Sequence, residues 1–247
     1  MKIDEAKCSG CGRCHDYCTM SCISFARLPG GRVVSRVDED ECVDCGVCER
    51  SKVCGLDAIF EPEVTWPRSI RGTFSNPLIE HKETKVPGRG TEEMKTNEVT
   101  GRFPPGFAGI SIELGRPGVG ARLTDAGVLG KALRQMSITL EPRNPLTRLL
   151  DPVTGDCLPE VAGEKVLSAI IEFIVPVERM PEVVGAVRRL SSQVKTVISV
   201  DLVYRNVLGN DMLETVLALG EDPYPNGKTN TGLGRPRYGV RAGEVRS

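Results

Sequence analysis

The stretch CSGCGRCHDYC, residues 8–18, decides the fold, and CVDCGVCERSKVC, residues 42–54, repeats its pattern. In each stretch three cysteines stand two residues apart and a fourth follows, after three residues in the first and after five in the second. Nine of the ten cysteines precede residue 55. In a secreted chain this density would indicate disulfides, but no secretory signal precedes them, so we expect metal thiolates.

Composition limits the classes of protein to consider. The 247 residues, 40% hydrophobic and 26% charged, are enough for one core and favour two smaller units. A net charge of −1 argues against a nucleic-acid partner, which would need a surplus of basic residues. No apolar run approaches the roughly 20 residues that cross a bilayer, so we expect a cytoplasmic protein without membrane partners.

The first stretch has the spacing C-x2-C-x2-C-x3-C and resembles bacterial-type dicluster ferredoxins, in which the fourth cysteine binds the other cluster. The resemblance covers residues 1–61 and implies two [4Fe-4S] clusters. One would be bound by Cys8, Cys11, Cys14 and Cys54. The other would be bound by Cys42, Cys45, Cys48 and Cys18. Zinc is the main rival, but zinc ribbons use two separated cysteine pairs instead of three evenly spaced thiolates and a fourth.

Two positions depart from the family pattern. An Ala-Ile pair usually follows the fourth cysteine, and Ala58-Ile59 fits this after Cys54 if two additional residues form a bulge before it. In the first stretch, Cys22 stands where that Ala would be, so we predict a small buried thiol beside the cluster. The alternative, with Cys22 as ligand in place of Cys18, stays open. Because the thiolate set is complete without it, His15 is predicted to be a surface residue.

The second half of the sequence reads strand, helix, strand, twice over. The strands are predicted at 107–114, 137–142, 165–177 and 195–205, and the helices at 123–136, capped by Thr124, and at 178–192. This order resembles ACT-type or NIL-type domains and predicts a βαββαβ ferredoxin-like sandwich, an α+β fold with an antiparallel sheet and two helices on one face. The predicted units are 1–61, the ferredoxin domain; 62–101, an extended connector; 102–206, the βαββαβ domain; and 207–247, a short helix and a basic Gly-rich tail.

Outside the cysteine stretches the candidate sites are weaker. Arginine offers a planar fork to carboxylates and phosphates, and four arginines could gather around one such anion: Arg89, Arg102, Arg116 and Arg122. The glycines between 115 and 120 lack the spacing and the acidic residue of a dinucleotide motif, so we expect a glycine-rich turn. Cys157 has no neighbouring histidine in the sequence to activate it and is predicted to be passive.

Two cubanes with complete thiolate sets offer no open position for a substrate, so they predict electron transfer without a catalytic residue in this chain. We expect a low-potential iron–sulfur subunit of an anaerobic oxidoreductase in a hetero-oligomer. Its partners would be a catalytic subunit and a flavoprotein or ferredoxin donor. Two alternatives stay open. One is an accessory subunit of a sulfur-incorporating biosynthetic enzyme, and the other is an ACT-like sensor of a small ligand or of redox state.

Overall fold

The computed structural model describes residues 1–91, 101–116, 118–204 and 212–220. Over these residues the chain is a mixed α+β protein with small antiparallel sheets. The predicted basic tail beyond residue 220 lies outside them. No helix within them combines the length and the apolar character that crossing a bilayer demands.

The first 61 residues contain four short strands and one helical turn, and the strands pair symmetrically. They are β1 (Lys2–Ile3), β2 (Ile23–Arg27), β3 (Val33–Val37), α1 (Val47–Arg50) and β4 (Ile59–Phe60). The strand after the first cysteine stretch, β2, pairs with β3, which precedes the second. The strand before the first stretch, β1, pairs with β4, which follows the second. This pairing places the two cysteine loops side by side.

The segment predicted to be an extended connector contains a helix, α2 (Ser69–Ser75), so the prediction is wrong there. Ile70 and Phe74, four residues apart, share one face of this helix and are buried in the core of the second half. Arg71, also buried, points toward the second cysteine loop. The connector is therefore a packed element between the two halves.

The second half is built around a three-stranded antiparallel sheet instead of the predicted four strands. Its elements are β5 (Phe107–Leu114), β6 (Ala121–Arg122), α3 (Leu123–Gln135), β7 (Lys165–Val166), β8 (Ala169–Pro176), α4 (Met180–Leu190), β9 (Ile198–Tyr204) and α5 (Met212–Ala218). The central strand β5 pairs with β8 on one side and with β9 on the other. The strands β6 and β7 form a separate ribbon. The predicted strand 165–177 is thus two strands.

The predicted strand at 137–142 is reduced to a single bridge between Leu140 and Phe173 of β8. Ser137, which follows α3, has a positive φ of 59°, and Pro142 cannot donate a ladder hydrogen bond. Only a few residues between these two positions are left to lie along β8. The edge of the sheet is correspondingly short.

Both predicted helices of the second half are present and pack on each other and against the sheet. The sequence of the second helix, α4, also predicts an apolar stripe of Val183, Val184, Val187 and Leu190. The stripe is confirmed, because the three valines are buried and Leu190 packs against the same core. The predicted cap is wrong. Helix α3 begins at Leu123 with Arg122 at the N-cap position, so Thr124 lies inside the first turn.

Candidate metal centres

The two cysteine loops repeat the same backbone conformation. Gly10 and Gly12 in the first loop have φ of 72° and 74°, and Asp44 and Gly46 at the matching positions have φ of 52° and 72°. Left-handed residues at alternate positions curl a chain so that its amides face a common centre. Each loop is therefore shaped to surround something with its N–H groups.

The loops also begin with the same turn. The amide of Cys8 donates to the Asp4 carbonyl oxygen, and the amide of Cys42 donates to the Asp38 carbonyl oxygen, both at 3.0 Å. In each case the aspartate carboxylate accepts from the amide two residues later. The aspartates thus set the direction in which each first cysteine enters its loop.

The fourth cysteines occupy equivalent positions as well. The amide of Cys22 donates to Cys18 Sγ at 3.3 Å, and the amide of Ala58 donates to Cys54 Sγ at 3.3 Å. The residue before each donating amide is left-handed, with φ of 51° and 47°. Cys54 therefore has the same local geometry as Cys18 despite its longer spacing in sequence.

The two additional residues before Cys54 fold into a helical turn in place of the expected bulge. Helix α1 continues into a turn in which the amide of Ser51 donates to Val47 and that of Lys52 donates to Glu49. Lys52 then takes a φ of 51° and redirects the chain. The extra length is absorbed before Cys54 is reached.

Cys18 crosses from the first stretch to the second set. Together with Cys42, Cys45 and Cys48 it lines one cavity. Burial, followed by the neighbouring thiolates, raises the pKa of Cys48 to about 12. Four thiolates so close together repel one another, and a bound cation would supply the compensating charge.

Cys22 lies among the sulfurs of this second set. It is buried, and its Sγ is 3.4 Å from Cys18 Sγ. Hydrogen bonding from its thiol lowers the pKa of Cys18 to about 5 and that of Cys42 to about 7. The buried position predicted for Cys22 is confirmed, and its contacts favour a hydrogen-bond donor to the thiolates. The alternative that it is itself a ligand stays open.

The first set has its own amide donors. Cys8 Sγ accepts from the amides of Gly10 at 3.4 Å and Ser35 at 3.2 Å. His15 is half-buried, with its Nε2 3.0 Å from the Ser35 hydroxyl and its ring centroid 4.5 Å from that of Phe25. The imidazole is thus held by the β2–β3 hairpin.

The cysteine side chains do not converge on one point. Across the described parts of the chain, no three His, Cys, Asp or Glu side chains converge as ligands of one metal ion do. A cubane attaches each thiolate to a different iron, so its ligands do not share one atom. All ten cysteines are free thiols, and the amide-to-sulfur bonds at Cys8, Cys18 and Cys54 are the contacts that tune cluster ligands. Thiolates spread in this way could each bind a different iron of one cluster.

The loop of the second set is packed against the rest of the chain through ion pairs. Arg122 contacts Asp40 and Glu41, each at 2.7 Å, and Lys165 pairs with Glu41. The terminal methyl of Met20, in the same cavity wall as Cys18, lies next to Gly120. These contacts could not be predicted from residue spacing. The available signal in the sequence was the uncompensated acidic run DEDE at 38–41.

The four arginines predicted to share an anion are engaged by carboxylates of the chain itself. Arg89 and Arg116 both pair with Glu113. Arg102 pairs with Glu141 in a polar cleft, and Arg122 pairs with the acidic loop. The chain's own glutamates and aspartates thus take the place of the external anion that the sequence suggested.

The remaining sequence candidates are structural. Gly115 and Gly120 close a turn in which the Gly120 amide donates to the Gly115 carbonyl oxygen at 2.9 Å. Burial raises the pKa of Cys157 to about 11, so this thiol is protonated at neutral pH. The passive role predicted for Cys157 agrees with that environment.

Comparisons of the chain with family models, with curated proteins and with solved structures give no match. The likeness to dicluster ferredoxins therefore depends on the cysteine stretches themselves. Function has to be argued from the geometry of these loops.

Proposed function

We propose that the protein is an iron–sulfur electron-transfer subunit with two [4Fe-4S] clusters. The ligands would be Cys8, Cys11, Cys14 and Cys54 for one cluster and Cys18, Cys42, Cys45 and Cys48 for the other. The observation that carries this proposal is the repeat of the cysteine loops, with matching left-handed positions, matching entry turns and the same amide-to-sulfur bond at Cys18 and Cys54. Two cysteine loops that curl in the same way favour two bound groups of the same kind.

When bound, each cluster would supply one reversible electron at low potential. The protein's contribution is to place dipoles and to exclude water. Amides directed at Cys8, Cys18 and Cys54 stabilise negative charge on the sulfurs, which favours the reduced form. Burial of Cys42 and Cys48 keeps water away from the second set and so disfavours the more negatively charged reduced form. The two sets are therefore expected to differ in potential.

The presence of the second half favours a subunit of a larger complex over a free electron carrier. A dicluster ferredoxin corresponds only to residues 1–61 of this chain. The strand order β9-β5-β8, followed by the bridge at Leu140, matches the order of a split βαβ sandwich with one strand nearly lost. This supports the proposed ferredoxin-like assignment of the second half. We infer that this unit docks a catalytic partner in an oxidoreductase complex. The cytoplasmic location stays a prediction.

The test is anaerobic purification followed by iron, acid-labile sulfide and zinc analysis. The proposal expects about eight irons and eight sulfides per chain, and a reduced sample whose electron paramagnetic resonance spectrum shows two interacting clusters. Cys157→Ser is the matched control, because it removes a buried cysteine far along the sequence from both sets. Zinc in place of iron, or an iron content that does not depend on the eight cysteines, would contradict the proposal.

One observation favours the alternative of a small-ligand sensor. A polar cleft between residues 83–91 and the second half is lined by both charge signs, including Arg102, Glu141, Arg143 and Arg148. Two of these arginines already pair with glutamates, Arg102 with Glu141 and Arg148 with Glu83 at 3.2 Å. A thermal-shift screen of free amino acids, with Arg143→Ala as the variant, tests this role. The sulfur-incorporation alternative stays a prediction.

A further inference from the structure

The two cysteine loops lie in opposite electrostatic surroundings. Residues 38–44, which lead into the second loop, carry five acidic and no basic side chains: Asp38, Glu39, Asp40, Glu41 and Asp44. Arg68, Arg122 and Lys165, all from beyond residue 61, form ion pairs with this segment. The second loop is thus neutralised and covered from within the chain.

The first loop and the β2–β3 hairpin beside it carry the opposite charge. We call the set Lys7, Arg13, Arg27 and Arg32 the basic face. Within the described residues none of the four forms an ion pair with a carboxylate, whereas the neighbouring Arg36 pairs with Glu5. Asp16 is the acidic side chain of that loop. The basic face therefore presents uncompensated positive charge to solvent.

An exposed aromatic ring lies against Gly12, the residue before Arg13, and two residues from Arg27 on the same strand. Phe25 on β2 is 57% exposed, and its ring packs on the backbone of Gly12, where an added Cβ would be 2.7 Å from the ring. Gly12 follows Cys11, which is the exposed cysteine of the first set. An apolar centre within a charged rim is the usual anatomy of a protein interface. Here that centre is next to a predicted cluster ligand.

We propose that an acidic one-electron carrier protein docks on the basic face and exchanges electrons with the cluster that the first cysteine set would hold. This inference rests on the proposed function and identifies the kind of partner and its place. In each encounter the reduced carrier loses one electron and this protein gains one, or the reverse, and no bond or proton changes. Electrons that enter at the first set would then pass to the second set. Met20, in the cavity wall of the second set, contacts Gly120 of the second half.

Two features favour an acidic protein over a nucleic acid. The overall charge of −1 leaves no general attraction for a polyanion beyond this one face. Single-stranded nucleic acids stack successive bases on several aromatic rings, whereas the basic face has one ring, Phe25, which suits an apolar pocket on a globular redox protein. Redox encounters are also small, and a face of four charges around one ring is in keeping with that size.

Binding is measured with a gallium-substituted acidic plant-type ferredoxin, which cannot accept electrons. The variant is Lys7→Glu with Arg13→Glu, and the matched control is Arg134→Glu with Arg189→Glu, two exposed arginines on α3 and α4. The charge reversal is expected to weaken binding about tenfold or more at low salt, and the control should stay within about twofold. Rising ionic strength should weaken ferredoxin binding by the wild type and reduce the difference in affinity between the wild type and the variant.

The kinetic arm uses small acceptors of opposite charge, Fe(III)–EDTA as the anion and hexaamminecobalt(III) as the cation. Charge reversal at Lys7 and Arg13 should lower the rate at which the protein reduces the anionic acceptor and raise the rate at which it reduces the cationic one. A changed cluster potential would change both rates in the same direction. The ratio of the two rates therefore reports the effect of surface charge on docking alone. An unchanged ratio together with unchanged ferredoxin binding overturns the inference and leaves the electron-transfer role intact.

Two further outcomes are decisive. If the reversal abolishes binding of a single-stranded RNA but leaves ferredoxin binding unchanged, the basic face is a nucleic-acid surface and the inference is wrong. If the anaerobic protein reacts with neither acceptor and holds no iron, the proposed function fails, and the inferred electron exchange fails with it.

Discussion

The Arg71 guanidinium donates to the carbonyl oxygen of Cys42 at 2.9 Å and so fixes the entry of the second cysteine loop from another part of the chain. The same buried group donates to the Asp40 carbonyl oxygen at 2.7 Å and pairs with Glu164. One side chain of α2 thus ties the second loop to the second half. Arginine suits this position because its planar fork serves several acceptors at once.

Replacing Arg71 by Ala should destabilise the protein strongly. The change leaves Glu164 and two or more loop carbonyl oxygens without their donor, a loss of roughly 3 to 5 kcal/mol for a broken buried pair. The free energy of unfolding is measured anaerobically by urea titration, and the rate of cluster loss by the visible absorbance. Arg189→Ala, an exposed arginine on α4, is the control and should stay within about 0.5 kcal/mol. A wild-type rate of cluster loss in Arg71→Ala would contradict the role given to this contact.

The ligand assignment predicts different outcomes for Cys54, a proposed ligand of the first set, and Cys22, a buried neighbour of the second set. Cys54→Ala should reduce the iron content from about eight to about four, because it removes a ligand that reaches across to the first set. Cys22→Ala should retain about eight irons and shift the potential of one cluster, since it deletes the hydrogen bond to Cys18. Iron analysis and potentiometry measure the two effects. If Cys22→Ala loses a cluster instead, Cys22 is a ligand.

The sequence was informative where the chemistry is local. The spacing of the cysteines is set by a few consecutive residues, so the repeat of the two cysteine stretches could be recognised without knowledge of the fold. The apolar stripe on α4 was predictable for the same reason, because Val183 and Val187 are neighbours on any helix.

Long-range pairs were not predictable in this way. Arg122 and Asp40 are separated by 82 residues, and only the fold brings them together. The helix α2 was missed because two apolar residues among Pro and Gly give little periodicity, and burial against the second half decides its structure. The strand at 137–142 had the right residues, but the turn at Ser137 and Pro142 left it little length.

A pair of glycine substitutions tests how closely α3 is packed. Gly→Ala in a helix interior normally stabilises by about 0.5 to 1 kcal/mol. At Gly185 on α4 the nearest atom to an added Cβ is the flexible end of Arg189 at 3.5 Å, so Gly185→Ala should give that gain. At Gly130 on α3 the new Cβ would overlap the carbonyl oxygen of Gly155, so Gly130→Ala should destabilise by roughly 1 to 3 kcal/mol. Thermal unfolding measures both changes, and equal shifts would show that the contact with Gly155 is loose.

The buried His81 predicts that stability falls in mild acid. Burial lowers the pKa of His81 below its usual 6.5, against smaller raising effects from the Gly88 carbonyl oxygen and Glu83. The folded protein therefore keeps this imidazole neutral at a pH where the unfolded chain binds a proton. The stabilisation is complete above about pH 7.5 and declines as the pH falls through 6.5, by at most about 1.4 kcal/mol per pH unit for one proton.

His81→Gln should remove this dependence, since Gln can still donate to the Gly88 carbonyl oxygen that Nε2 contacts at 2.8 Å but does not titrate. Lys82→Gln, at the exposed neighbouring position, should retain the wild-type decline. The free energy of unfolding is compared between pH 7.5 and 5.5 by anaerobic urea titration. A decline of equal slope in His81→Gln would contradict the role given to His81. The carboxylates that pair with Arg122 and Lys165 beside the second cysteine loop have lowered pKa values, so their stabilisation is lost only at a pH below this range. The two causes are separable because the histidine acts near pH 6.5 and the carboxylates act well below it.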